Sequence, residues 1–109
     1  MKYNLDGVIV CVFGLGYVGL PLAEAFAKKV RVVGFDIDRK KIEKLHRTND
    51  AQNLLCTDDP KKIKEADFIL ICVPTPVTMS KEPELSYVES AAQTVGRNLK
   101  KGATVILES

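Results

Sequence analysis

The feature that most constrains this chain is the segment from Val8 to Gly19, where a short apolar run ends abruptly in three glycines spaced G-x-G-x-x-G. The run is β-branched and aromatic without alternation, which is typical of a strand buried on both faces. Gly14 permits a tight turn, Gly16 lets main chain approach a bound pyrophosphate, and Gly19 lets the next helix pack closely on the strand. The pyrophosphate would lie on the N–H groups at the positive end of that helix. The segment therefore predicts a phosphate-binding turn between a strand and a helix.

A second strand and an acidic residue strengthen this interpretation, because three spaced glycines also occur in purely structural turns. Residues Arg31–Phe35 form another apolar run, and Asp36 follows directly, 17 residues beyond Gly19. This spacing is close to that expected for a carboxylate that hydrogen-bonds the ribose hydroxyls of adenosine. Because a carboxylate at this position repels a 2′-phosphate, it favours NAD over NADP. The sequence therefore predicts NAD as the cofactor, against the alternative of a structural turn with an incidental aspartate.

The remaining apolar runs continue an alternation of strands and helices. We expect further strands at residues 53–57, 67–73 and 103–107, and helices at 17–29, 39–47, 60–65 and 86–100. This order predicts one α/β domain of the Rossmann type, a doubly wound parallel sheet with strand order 3-2-1-4-5. Ser86 and Glu89 have the spacing of a capping box for the last helix, which would face the core through residues 88, 92, 95 and 99. Gly102 is expected to close that helix.

Composition and charge limit the possible functions. The formal net charge is only +2, and the longest apolar stretches have the length of strands. We therefore expect no nucleic-acid partner, no membrane insertion, and a soluble protein of the cytoplasm. The three cysteines, Cys11, Cys56 and Cys72, match neither a disulfide framework nor a zinc site, and the single histidine has no companion. We expect no metal, and we interpret the cysteines as small buried apolar residues.

Two polar positions each have two interpretations on spacing alone. Lys41 follows Asp36 by five residues, but the basic residues around it are also typical of a solvated helix face. Thr75 lies between two prolines after the fourth strand. Loops at the carboxyl ends of parallel strands line the ligand crevice, so its hydroxyl would face the cofactor. In the alternative interpretation, the prolines merely stiffen a surface loop.

Longer stretches of the sequence resemble one enzyme family. They are G-L-G-Y-V-G-L-P-L-A, G-F-D-I-D, A-D-F-I-L-I-C-V-P-T-P, K-E-P-E-L-S-Y-V-E-S-A and the closing V-I-L-E-S. Together they resemble the N-terminal NAD-binding domain of the UDP-glucose/GDP-mannose dehydrogenase family over nearly all of residues 8–109. The stretches V-P-T-P and E-P-E-L-S-Y-V-E-S-A are most similar to the branch that acts on UDP-N-acetylhexosamines such as UDP-N-acetylmannosamine or UDP-N-acetylglucosamine.

The resemblance implies roles for individual positions. The main chain of Gly16, Tyr17 and Val18 would contact the pyrophosphate. Asp36 would bind the adenosine ribose, and Lys41 would approach the same ribose. The residues expected to approach the nicotinamide side are Thr75 and Ser109.

The resemblance also implies a reaction. Members of this family oxidise the primary alcohol of a sugar to a carboxylate in two hydride transfers to NAD, through a thiohemiacetal on a catalytic cysteine. That cysteine, its partners and the sugar pocket would lie beyond residue 109, and no residue of this chain matches them. We therefore expect residues 1–109 to be a truncated N-terminal part of a longer UDP-sugar 6-dehydrogenase of polysaccharide biosynthesis. The full protein would be a homodimer, and the chain alone is expected not to turn over substrate.

Two other functions stay open on the sequence. A stand-alone Rossmann module can sense a nucleotide and gate a partner without chemistry, and another NAD-dependent dehydrogenase, such as one acting on a hydroxy acid, can share the same turn. The stretch from Thr48 to Thr57 is also shorter than the usual connection in the family. A catalytic cysteine encoded downstream would separate the nucleotide-sugar dehydrogenase from both alternatives.

Overall fold

The chain folds around one parallel sheet. A computed structural model describes residues 6–76, 79–82 and 84–108. The strands are β1 (Ile9–Phe13), β2 (Arg31–Phe35), β3 (Leu54–Thr57), β4 (Phe68–Ile71) and β5 (Thr104–Leu107). All neighbouring pairs are parallel, in the order β3-β2-β1-β4-β5. The predicted Rossmann-type sheet with strand order 3-2-1-4-5 is confirmed.

Helices cover both faces of the sheet. They are α1 (Gly19–Phe26), α2 (Arg39–Thr48), a 3₁₀ helix (Pro60–Glu65) and α3 (Ser86–Asn98). Ala23 of α1 and Ile42 and Leu45 of α2 enter an apolar cluster on one face. Ile63 of the 3₁₀ helix and Val95 of α3 enter a second cluster on the other face. Across the described part of the chain, no helix combines the length and the apolar character needed to cross a bilayer.

The central strand explains why its sequence does not alternate. Val10 and Val12 of β1 point into the cluster under α1 and α2. Cys11 and Phe13 point into the opposite cluster, where the Phe13 ring lies 4.5 Å from the Phe35 ring, centroid to centroid. Because both faces of β1 are covered, an apolar side chain is stabilising at every position. The three cysteines are buried and free, which confirms their interpretation as core residues.

Helix α1 is shorter than its sequence pattern predicts. We expect a helix from Tyr17 to Lys29, but the structure has α1 from Gly19 to Phe26. The chain beyond Phe26 tightens, since the N–H of Lys29 bonds the carbonyl of Phe26 three residues back. The prediction was wrong at both ends because the residues before Gly19 form the turn, and beyond Ala27 the N–H groups of Lys28 and Lys29 bond carbonyls three residues back.

Helix α3 does not begin with the predicted capping box. Its N-cap residue is Leu85, and the Ser86 N–H donates instead to the carboxylate of Glu84, with N and Oε1 2.8 Å apart. Of the positions expected to face the core, Val95 is buried and Leu99 packs against the second cluster, whereas Ala91 is buried in place of Ala92, which is exposed. Gly102 has φ +88° but lies in the turn before β5, four residues beyond the end of α3.

Asp67 joins three strands at the amino-terminal edge of the sheet. Its Oδ2 accepts a 2.8 Å hydrogen bond from the N–H of Ile9, and its Oδ1 lies 2.6 Å from Lys100 Nζ. Its own carbonyl accepts from the N–H of Thr104. The hydrogen bond from Lys100 is the largest cause that lowers the pKa of Asp67 below its ordinary value of 3.8, followed by the bond from Ile9. Through its carboxylate and its carbonyl, Asp67 thus connects β1, β4 and β5 where they start.

We predict that Asp67→Asn lowers the free energy of unfolding by about 0.5–1 kcal/mol at neutral pH, a modest loss because solvent screens a pair whose side chains are 33% and 39% exposed. The folded pKa lies below the ordinary value of 3.8, so this contribution is fully present above that value and lost as the pH falls through the folded pKa. Urea unfolding at neutral and acidic pH measures both effects.

The control is Asp58→Asn, an exposed aspartate on the other side of the 3₁₀ helix. It removes the same charge and should leave the urea midpoint nearly unchanged. If the difference in the free energy of unfolding between wild type and Asp67→Asn stays constant well below pH 3.8, the effect is not due to the ionised carboxylate.

Gly19 is the point where α1 meets the strands. A Cβ built on Gly19 would lie 1.7 Å from the carbonyl oxygen of Gly14 and 3.3 Å from the Cβ of Cys72. Main chain therefore occupies the place of a side chain, and only glycine allows the helix to start this close to the end of β1.

We predict that Gly19→Ala lowers the free energy of unfolding by about 3 kcal/mol or more, because backbone on both sides has to move. Thermal or urea unfolding followed by circular dichroism measures the loss. The control is Gly96→Ala, since nothing lies within 4 Å of a Cβ at that site on α3, and alanine suits a helix. A Gly19→Ala protein as stable as wild type would show that α1 does not depend on this approach.

Candidate functional site

A cleft of about 660 Å³ opens at the carboxyl ends of the strands. It lies where the strand order reverses, since β2 and β4 leave β1 on opposite sides, and this is where doubly wound sheets bind ligands. Its walls come from the ends of β1, β2 and β4, the start of α3 and the residue after β5: Phe13, Gly14, Leu15, Gly16, Tyr17, Val18, Asp36, Ile37, Asp38, Lys41, Cys72, Val73, Pro74, Thr75, Tyr87, Ser90, Ala91 and Glu108. A smaller cavity of about 200 Å³ lies at the other edge of the sheet, away from the turn between Gly14 and Gly19, called the glycine turn below.

Two glycines of the turn have different roles. Gly14 has φ +104°, its N–H donates to the carbonyl of Phe35 at 2.7 Å, and a Cβ there would lie 2.7 Å from the carbonyl oxygen of Cys72. Gly16 is exposed, and a Cβ there would meet nothing within 4 Å. Glycine is thus required by the fold at position 14, while at position 16 it keeps space open beside the cleft.

The main chain after Gly14 presents unused donors to this space. Within the described residues, the N–H groups of Gly16, Tyr17 and Val18 donate no hydrogen bond, while the carbonyls of Gly16 and Val18 accept the first bonds of α1, from Leu20 and Leu22. The side chain of Tyr17 is fully exposed and that of Val18 largely so. Helix N-termini with free N–H groups attract anions, so this turn fits a phosphate or pyrophosphate group.

Asp36 is the buried acid of the cleft, and it is 8% exposed. Its Oδ2 accepts a hydrogen bond of 2.9 Å from the N–H of Leu15 and lies 3.3 Å from Lys41 Nζ. Its Oδ1 accepts from the N–H of Asp38 at 2.9 Å. A carboxylate has about four acceptor positions, so capacity for a further donor stays available. Asp36 therefore fastens the glycine turn to the end of β2 and still faces the cleft.

Lys41 is brought to Asp36 by the first turn of α2. Asp38 is the N-cap of that helix, and its Oδ1 accepts from the N–H of Lys41 at 3.2 Å. One helical turn then directs the ammonium group back to the carboxylate of Asp36. The spacing of five residues thus produces a half-buried ion pair at the cleft. It does not produce a purely solvated face.

Seven of the nine predicted site residues line the cleft: Gly14, Gly16, Tyr17, Val18, Asp36, Lys41 and Thr75. Gly19 lies behind the turn and is buried in the contact with β1. Thr75 is exposed in the loop after β4. Ser109 lies outside the described residues. The structure therefore brings the predicted positions around one space, and their roles toward a cofactor stay predictions.

Three residues that line the cleft on α3 and after β5 were not predicted from the sequence, namely Tyr87, Ser90 and Glu108. The rule that carboxyl ends of parallel strands line the crevice, applied above to β4, also points to Glu108 after β5. Tyr87 and Ser90 lie in the first turns of α3, which begins at the same edge of the sheet because it follows the loop from β4. The bond from Leu15 to Asp36 was missed as well, because no local pattern connects residues 21 positions apart.

The cysteine of the cleft is a neutral thiol. Burial raises the pKa of Cys72, and the negative charge of Glu108 raises it further. Burial likewise raises the pKa of Cys11 to about 12, with a second contribution from Cys72. Because the thiolate is the reactive form, neither sulfur is a ready nucleophile at neutral pH.

Comparison with known sequences identifies the family. The model of the UDP-glucose/GDP-mannose dehydrogenase family, NAD binding domain, matches residues 8–109. The alignment with UDP-N-acetyl-D-glucosamine 6-dehydrogenase of Salmonella typhi is 119 residues long with 40% identity, and it covers 98% of this chain and 28% of that protein. The alignment with UDP-N-acetyl-D-mannosamine dehydrogenase of Escherichia coli (strain K12) is 116 residues long with 40% identity, and it covers 92% of this chain and 27% of that protein. The chain spans about a quarter of the length of these curated relatives.

Solved structures agree with this assignment. The UDP-D-ManNAc dehydrogenase from Pyrococcus horikoshii is similar with a TM-score of 0.85 and 34% identity, over 94% of this chain and 28% of that chain. A 3-hydroxyacyl-CoA dehydrogenase from Archaeoglobus fulgidus, with a TM-score of 0.75 and 22% identity over 94% of this chain and 34% of that chain, shares the fold alone. From the match over nearly its whole length, the chain belongs to the UDP-glucose/GDP-mannose dehydrogenase family and corresponds to its NAD binding domain.

Proposed function

We propose that the protein containing this domain oxidises the C6 alcohol of a UDP-sugar, of the UDP-N-acetylhexosamine class, to a carboxylate with NAD as the oxidant. The observation that most supports it is that the N–H groups of Gly16, Tyr17 and Val18 donate to no described residue and line the same cleft as the buried carboxylate of Asp36. The relatives named above as UDP-N-acetyl-D-glucosamine and UDP-N-acetyl-D-mannosamine dehydrogenases support the substrate class. When bound, NAD supplies the hydride acceptor, and the residues of this chain bind and orient it.

The pyrophosphate position follows from the free donors of the glycine turn. The N–H groups of Gly16, Tyr17 and Val18 would donate to its oxygens, and the positive end of α1 would favour its charge. The empty space at the Gly16 Cβ position supports this fit, since a side chain there would occupy the approach of the phosphate.

The adenosine ribose position follows from Asp36. Its remaining acceptor capacity suits a ribose hydroxyl, and its negative charge disfavours a 2′-phosphate. Lys41 Nζ lies 3.3 Å from Oδ2 of Asp36, so it would hold that carboxylate in place and would approach the same ribose. Thr75 and Ser109 are proposed, on the family resemblance, for the nicotinamide side.

The proposed reaction sets a stoichiometry. Oxidation of a primary alcohol to a carboxylate removes four electrons and consumes one water, so two NAD are each reduced by one hydride per sugar. The relatives are more than three times as long as this chain, and we propose that the sugar pocket and the catalytic cysteine lie outside these 109 residues. A homodimeric state and a cytoplasmic location, both expected from the sequence, belong to the same proposal.

The experiment is an NADH assay of the full-length protein with UDP-N-acetylglucosamine, UDP-N-acetylmannosamine, UDP-glucose and GDP-mannose. We expect two NADH per sugar consumed with a UDP-N-acetylhexosamine and little with the other sugars. Turnover of GDP-mannose alone would reject the substrate class, and no turnover of any nucleotide sugar would reject the proposed reaction. The 109-residue chain serves as the control for background NADH formation.

We predict that the chain binds NAD at least about tenfold more tightly than NADP, and that Asp36→Asn removes most of this difference because the repulsion of the 2′-phosphate is lost. Calorimetric titration of both cofactors measures the ratio of the two dissociation constants. The ratio of the two dissociation constants is informative because any loosening of the turn at Leu15 would weaken the binding of both cofactors alike. Glu43→Gln, an exposed charge change on α2, is the control, and equal affinities in wild type would reject the ribose assignment.

We predict that Gly16→Ala weakens NAD binding by about tenfold or more, because the new methyl group stands where a phosphate oxygen would approach the main chain. Its unfolding midpoint should stay near that of wild type, since nothing lies within 4 Å of the added Cβ. The same titration with Gly96→Ala controls for the substitution itself. Unchanged affinity in a folded Gly16→Ala protein would show that the pyrophosphate does not lie on this turn.

A further inference from the structure

Glu108 places a carboxylate at the end of the cleft opposite Asp36. Its N–H donates to the carbonyl of Ile71 at 2.9 Å, so the pairing of β4 and β5 extends one residue beyond the strands and fixes its main chain. The residue lines the cleft together with Cys72 and Thr75. Its position is therefore set by the sheet, at the carboxyl end of β5.

The charged side chains that line the described part of the cleft are three acids, Asp36, Asp38 and Glu108, and one base, Lys41. At the end of β2, the carboxylate of Asp36 is paired with the ammonium group of Lys41. At the end of β5, Glu108 forms no ion pair with any described residue. Its charge is felt inside the cleft, because it contributes, after burial, to raising the pKa of the Cys72 thiol. Within the described part of the chain, the exposed Glu108 is thus a carboxylate without an ion-pair partner at this end of the cleft.

The proposed function fixes which part of NAD meets this charge. Doubly wound sheets bind a dinucleotide across the switch point, with one half on each side of the central strands. If the adenosine lies at Asp36 on β2 and the pyrophosphate at the glycine turn, the nicotinamide half extends toward β4 and β5. That half is the one that changes charge in the reaction, since the ring is positive when oxidised and neutral when reduced.

We propose that Glu108 makes the cleft prefer the oxidised, positively charged nicotinamide over the reduced, neutral one. This inference rests on the proposed function and extends it to the exchange of cofactor. Because two NAD are consumed per sugar, NADH has to leave and NAD has to bind before the second oxidation. A carboxylate near the ring weakens the binding of NADH relative to NAD, and so favours that exchange.

The experiment measures the dissociation constants of NAD and NADH for the 109-residue chain and its variants, by calorimetry and by NADH fluorescence. We expect the ratio of the NADH constant to the NAD constant to fall by about three- to tenfold in Glu108→Gln, the range for one partly screened charge at contact distances of a few ångströms. In wild type the ratio should also fall when the salt concentration is raised to about 0.5 M. Glu108→Asp keeps the charge and should keep most of the ratio.

The controls separate this proposal from the proposed function. Glu65→Gln removes a charge at the opposite edge of the sheet, next to the start of β4, and should leave the ratio unchanged. ADP-ribose has no nicotinamide, so a change in its affinity reports only the effect of Glu108 on the pyrophosphate, which cancels in the ratio.

Three results would overturn the proposal: a ratio unchanged in Glu108→Gln, an equal fall in Glu65→Gln, or a wild-type ratio that does not respond to salt. If wild type binds neither cofactor, the proposed function fails with it. If wild type binds NAD while Glu108→Gln leaves the ratio unchanged, only the present inference fails.

Discussion

The close approach of Gly19 to the carbonyl of Gly14 is the constraint on which the rest of the site depends. With 1.7 Å between that oxygen and the place of a Cβ, α1 can begin at this distance from β1 only if residue 19 has no side chain. This placement turns the N-terminus of α1 toward the carboxyl edge of the sheet. The N–H groups of the turn therefore lie over the strand reversal, where the cleft opens. The contact that packs α1 against the core therefore also sets the binding geometry of the site.

The site depends as well on the buried carboxylate of Asp36. Burial of a charge is unfavourable unless donors replace the lost water, and here the N–H of Leu15, the N–H of Asp38 and the ammonium group of Lys41 do so. The same three bonds join the glycine turn, the end of β2 and the start of α2. The acid that is suited to a ribose therefore also holds the turn that is suited to a pyrophosphate, so the two parts of the proposed adenosine site are positioned together by the fold.

The strands β1, β2 and β4 could be predicted from the sequence because burial on both faces leaves a continuous apolar signature. Helix ends could not, because they depend on single hydrogen bonds with several candidate donors and acceptors. At the start of α3, the carboxylate of Glu84 takes the N–H of Ser86, a contact that competes with the capping box read from the sequence. Along the helix, Ala91 is buried in place of the exposed Ala92 because it lies one turn before the buried Val95, on the same face.

The residues of the site also differ in how far they could be predicted from the sequence. Residues fixed by local geometry, such as Gly14 and Asp36, were found from spacing and strand ends, whereas the bond from Leu15 to Asp36 depends on the register of β1 against β2. Glu108 is an intermediate case, since its place after β5 can be predicted, but only the strand order shows that it shares a cleft with Asp36 at the end of β2. Among the described residues, Asp36 has a lysine within reach and Glu108 has no ion-pair partner. That difference cannot be read from the net charge of the chain, because it depends on which carboxylate the fold places within reach of a lysine.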